Sequence, residues 1–104
     1  MSELLDKRIK MTWGLALLIQ FINSKPSYAC AIGQDGLKHM PGSLHFQGLA
    51  EDILIYKDGA FLQDTEEYRF AGTYWKSLDP EFCWGGDFSK PDGDHFSIGY
   101  GGKK

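Results

Sequence analysis

Asp52-Ile53-Leu54-Ile55-Tyr56-Lys57, then Asp58-Gly59, then Ala60-Phe61-Leu62 is the strongest local signal in the chain. The first run is apolar, and an Asp-Gly pair separates it from a second apolar run. Asp-Gly between such runs favours a tight two-residue turn, so the segment predicts an antiparallel hairpin. Its first strand begins at Asp52.

The chain before the hairpin reads as a helix, a short strand and a loop. Ser2 and Asp6 both suit a helix cap. Leu4, Arg8, Met11, Leu15, Leu18 and Ile22 then lie along one stripe at helical spacing, which predicts a helix to about Asn23. Pro26 stops it, and residues 24–27 connect to a strand over Tyr28–Ile32. Residues 33–42 read as a loop closed by Pro41-Gly42. Beyond the hairpin, Tyr68, Ala71, Trp75 and Leu78 predict a helix over Thr65–Leu78. Asp64 with Glu67 three residues later forms a capping-box variant at its start, and Asp79-Pro80 ends it. Residues 81–93 read as a loop, His95–Ile98 as a last strand, and Gly99–Lys104 as a frayed tail. The sum is an α+β domain, two main helices packed on a small antiparallel sheet.

The 104 residues suit one domain spanning 1–104. Hydrophobic content of 42% and aromatic content of 14% support a real core and exclude a disordered chain. A net charge of −3 and an isoelectric point near 5.5 leave no basic footprint for nucleic acid. Cys30 and Cys83 form no C-x-x-C pair and read as two buried free thiols. Met11–Ile22 is apolar but too short to span a bilayer. Lys7, Arg8 and Lys10 precede it and Ser27-Tyr28-Ala29 follows, a weak export signature that Glu3 and Asp6 spoil. The reading is a buried core helix.

Two clusters carry the chemistry. One is Ser43-Leu44-His45-Phe46-Gln47-Gly48-Leu49-Ala50-Glu51-Asp52. The other is Trp84-Gly85-Gly86-Asp87-Phe88 followed by Asp92-Gly93-Asp94-His95-Phe96. Two imidazoles and one carboxylate make a catalytic zinc set, because they leave a position for water. A further carboxylate beside that water supplies a base.

The patterns S-x-H-x-x-G-x-A-x-D, W-G-G-D-aromatic and D-x-x-H-F resemble the M15 zinc peptidases. That family includes D-alanyl-D-alanine carboxypeptidases and the L-alanyl-D-glutamate peptidases of phage endolysins, and the W-G-G-D form is closer to the latter. The resemblance implies the Hedgehog/DD-peptidase fold, with Zn2+ as cofactor held by His45, Asp52 and His95, and Asp92 as acid/base. Asp94, on a strand start, is expected to face away from the side of His95. Ser43, Trp84 and Asp87 are expected to touch substrate or to orient a ligand. His39 is no motif position. The family's substrate-binding arginine has no counterpart over residues 28–34; Lys38, Lys57 and Arg69 are the substitutes at hand. The implied activity is cleavage of the peptidoglycan stem peptide at L-Ala–D-Glu. D-Ala–D-Ala carboxypeptidase and a non-catalytic zinc-containing binding relative are the alternatives. The implied partner is the stem peptide, with no nucleic acid and no stable membrane insertion, and a monomer is expected. The implied setting is phage or bacterial, with cytoplasmic accumulation and action on the cell wall.

Overall fold

The computed structural model describes residues 2–33 and 44–104, apart from the side chains of His45 and Phe46. Helix α1 runs Glu3–Asn23 and starts where the Ser2 hydroxyl accepts the Leu5 N–H at 3.1 Å. It ends at Ser24, ahead of Pro26. Of the expected stripe Met11, Leu18 and Ile22 are buried, with Gly14 beside them, while Leu4 and Leu15 are partly buried and Arg8 is exposed. No helix among the described residues is long and apolar enough to cross a membrane.

Five antiparallel strands follow: β1 (Tyr28–Ile32), β2 (Ala50–Lys57), β3 (Ala60–Phe61), β4 (Phe82–Trp84) and β5 (His95–Ile98). Their order is β1-β2-β5-β4, with β3 beside the end of β2. The hairpin forms at the expected turn. Tyr56 faces Phe61 and Lys57 faces Ala60, while Asp58 and Gly59 take φ of 51° and 80°. Positive φ at both central residues gives the turn a twist that matches the strands. Strand β2 starts at Ala50, so Asp52 sits inside it rather than at its first position.

Strand β2 pairs with β1 over Ile53–Lys57 and with β5 over Ala50–Asp52. On the β5 side a gap separates β5 from β3. The Tyr68 hydroxyl fills it, accepting the Ile55 N–H at 3.1 Å and donating to the Leu62 carbonyl at 2.7 Å. Burial is the first cause that pushes this phenol up to about 12.

Side chains alternate across the sheet, so register sorts them by face. Ile53, Ile55, Phe96, Ile98, Phe82 and Trp84 share one buried face, and the two helices cover it. There Trp75 of helix α2 (Arg69–Leu78) stacks on Phe82 at 4.1 Å and meets Phe96 edge-on at 5.9 Å. The Trp75 indole N–H donates to the Cys83 and Ser97 carbonyls at 2.9 and 3.1 Å, which ties α2 to β4 and β5. Asp52 and His95 project to the opposite face.

Other expectations are corrected as well. Phe82–Trp84, read as part of a loop, is the edge strand β4, because pairing with β5 converts three β-forming residues into a strand. The segment Thr65–Tyr68, read as α-helix, is a 3-10 turn leading into α2. Its start is tied as foreseen, with the Asp64 N–H on Glu67 Oε1 at 3.3 Å. The tail is folded rather than frayed: the Tyr100 and Lys103 backbones exchange hydrogen bonds of 3.0 Å. Cys30 and Cys83 are free thiols, half-buried rather than buried, on strands separated by β2 and β5. Burial is the first cause that raises both.

Candidate metal centre

Register assembles the centre. Asp52 on β2 and His95 on β5 are direct cross-strand partners, so their side chains rise side by side from the same face. Asp92 comes from the turn before β5, where the His95 N–H bonds the Asp92 carbonyl at 3.1 Å. Asp52, Asp92 and His95 each offer one ligand atom, all within 4.8 Å of one another. The His95 imidazole nitrogen and the Asp52 carboxylate oxygen are donors that zinc accepts, and the Asp92 carboxylate stands beside them. His45 stands on a 3-10 turn, Leu44–Gln47, leading directly into β2. The side chain of His45 and the whole of Ser43 lie outside the described residues, as do Lys38 and His39.

The second cluster builds the turn that presents Asp92. Gly85 packs where no side chain fits: an added Cβ would lie 2.1 Å from the Asp92 carbonyl oxygen and 2.7 Å from His95 Cβ. Its own carbonyl accepts the Asp92 N–H at 2.9 Å. Trp84 is buried. Its indole N–H donates to the Gly93 carbonyl at 2.7 Å and so pins the turn from beneath. Phe88 lies against the His95 ring at 5.1 Å. Asp87 is exposed and bound to Lys76 at 2.7 Å.

Trp84→Phe keeps the ring but leaves the Gly93 carbonyl buried without its donor. A loss of about 1–3 kcal/mol is expected. Denaturant unfolding checks it, and an unchanged midpoint sinks the pinning role.

Asp94 is half-buried beside Asp92. Burial first, then the hydrogen bond with Asp92 and the charges of Asp52 and Asp92, push it up to about 7. A divalent cation held nearby acts in the opposite direction. Beside the cluster opens a cleft of about 280 Å³, with Phe61, Gln63 and Thr65 on one side and Pro91, Asp92 and Asp94 on the other. Gln63 and Thr65 carried no sequence signal; only the return of the hairpin brings them here. Among the described lining residues there is no Lys or Arg. Lys57 lies over the Tyr28 ring at 5.6 Å, and Arg69 pairs with Glu66 at 2.7 Å.

A sheet-borne His–Asp pair with a carboxylate one turn away, on this topology, is the architecture of an M15 peptidase. The chain belongs to that family: the family described as D-alanyl-D-alanine carboxypeptidase matches residues 38–98, more than half of the sequence. The fold is similar to that of the Serratia marcescens L-Ala D-Glu endopeptidase ChiX. The TM-score is 0.67 over 86% of this chain and 78% of that one, at 16% identity. No curated protein matches the chain in sequence.

Proposed function

We propose that this chain is a zinc-dependent peptidase of the peptidoglycan stem peptide, cutting the L-Ala–D-Glu bond. The observation that carries the reading is the β2–β5 register, which sets Asp52 opposite His95 with Asp92 one turn away. His45, Asp52 and His95 would hold the ion. When bound, zinc lowers the pKa of a water to about 7 and polarises the scissile carbonyl. Asp92 stands at the mouth of the cleft and is exposed, so a peptide reaches it without rearrangement of the sheet. Its carboxylate takes the proton of the attacking water and returns it to the departing amine nitrogen. Ser43 would orient a ligand or the substrate. Trp84 acts through the turn beneath Asp92, and Asp87, tied to Lys76, braces the same segment. The choice of bond follows the W-G-G-D cluster and the endopeptidase whose fold this chain shares.

The family's description favours a second reading, release of terminal D-Ala by a carboxypeptidase. Purified murein separates the two. Digestion followed by mass spectrometry is expected to yield stem peptides with a new N-terminal D-Glu. Free D-Ala alone selects the carboxypeptidase. No release of either, by a protein that binds zinc, selects a non-catalytic relative. X-ray absorption is expected to show nitrogen and oxygen ligands; a zinc–sulfur shell overturns the ligand assignment, since Cys30 and Cys83 lie outside both clusters.

A further inference from the structure

Arg8 lies on α1, far in sequence from both clusters. Its Nε donates to the Gln47 carbonyl at 2.7 Å. Gln47 is the last residue of the 3-10 turn that carries His45. The final carbonyls of such a turn have no partner within it, and their exposed dipoles favour a cation. The Arg8 side chain also packs against Gly48, where an added Cβ would come within 3.4 Å of Nε.

The rest of the turn is fixed from the core side. Leu44 and Leu49 are both buried, and the Leu49 N–H closes on the Leu44 carbonyl at 2.9 Å. The Leu49 carbonyl accepts the Ile98 N–H at 3.0 Å, which ties the end of the turn to β5. Gln47 and Gly48 form the outward part, and Arg8 holds it from α1. On the same helix Lys7 and Lys10 bind Glu81, a residue outside both clusters, at 2.6 and 3.0 Å.

We propose that Arg8 is a positioning residue for the metal centre: it caps the turn that carries His45 and so fixes that ligand's backbone relative to Asp52 and His95. This rests on the zinc reading above, with His45 as a ligand. A charge-assisted hydrogen bond of this length is among the stronger ones a protein makes. It also restrains a segment that leads directly into β2, two residues before Ala50 in the case of Gly48. Residues that orient ligands without touching the ion change metal affinity by about 10–100-fold.

The test measures zinc affinity by chelator competition in the full-length chain, with thermal unfolding of the metal-free protein alongside. Arg8→Met keeps the aliphatic stem and removes the donor. It is expected to weaken zinc binding roughly tenfold, with little change in metal-free unfolding. Arg8→Lys should restore most of the affinity, because an ammonium at that length still reaches the Gln47 carbonyl. Lys10→Met, which removes a cation from the same helix without touching the turn, should leave affinity unchanged. His45→Ala calibrates the scale and should weaken binding far more than Arg8→Met. The d–d spectrum of the cobalt-substituted protein should shift in Arg8→Met and return in Arg8→Lys.

If Arg8→Met binds zinc like the parent while His45→Ala does not, the role of Arg8 is wrong and the zinc reading stands. If His45→Ala binds zinc like the parent, His45 is no ligand and both readings fall together. A metal-free Arg8→Met that does not fold, or a lysine variant as weak as the methionine one, makes Arg8 a structural residue and overturns the proposal.

Discussion

Asp92→Asn is expected to stop murein hydrolysis while zinc content and fold stay intact. The change replaces the proton acceptor at the cleft mouth and leaves His45, Asp52 and His95 unaltered. A lost general base costs about 10²–10⁴ in rate. The main-chain hydrogen bonds of the turn, Asp92 N–H to Gly85 and His95 N–H to Asp92, do not involve the carboxylate, so the loop keeps its shape. Asp94→Asn is the informative control. Asp94 lies beside Asp92 and hydrogen-bonds it, yet asparagine preserves a hydrogen-bonding group there. Most activity should remain. Hydrolysis rates and bound zinc, measured for both variants, decide the matter. An active Asp92→Asn beside a dead Asp94→Asn moves the base by two residues. If neither variant, nor His45→Ala, affects hydrolysis, the metallopeptidase reading fails.

Gly85→Ala should damage both stability and metal binding. The new Cβ meets the Asp92 carbonyl oxygen at 2.1 Å, and that oxygen belongs to backbone, which cannot rotate away as a side chain would. Either β4 separates from β5 or the Asp92 turn moves. Overpacking in cores costs about 1–3 kcal/mol, and the upper end is expected here. For a domain of this size that lowers Tm by roughly 10–20 °C. Zinc affinity should fall with it, because His95 Cβ lies within 2.7 Å of the same methyl. Calorimetry and chelator competition check both halves. A variant that keeps the parent Tm and the parent affinity shows that the close approach of β4 to the Asp92 turn is not a constraint on the site.

The parts of the fold legible in sequence are those set by local rules. Asp58-Gly59 named its own turn, the stripe from Met11 to Ile22 named its helix face, and Ser2 capped that helix. The β4 strand was not legible. Three residues between Pro80 and Gly85 show no alternation worth reading, and only β5 alongside makes them a strand. The site divides in the same way. Its candidate residues were legible as two spaced clusters, but the partnership of Asp52 with His95 is a matter of register between distant segments. Trp84 was legible as a member of its cluster, but not its role as an N–H donor beneath the turn. Arg8 gave no signal at all, since its partner is a main-chain carbonyl and carbonyls leave no trace in sequence.

The split pairing of β2 carries a consequence for how the chain reaches its native state. One end of that strand joins the near segment β1, while the other waits for β5, which arrives only after the long intervening stretch has closed. Closing such a stretch costs entropy before any contact repays it. Asp52 and His95 meet at that late-closing end, so a partly folded chain has no ion site to offer. Any metal bound there favours the completed sheet by mass action, by about 2.7 kcal/mol at a hundredfold excess over Kd. The ion would then act as a latch on the slowest seam of the fold, and metal uptake would report that the whole sheet has zipped.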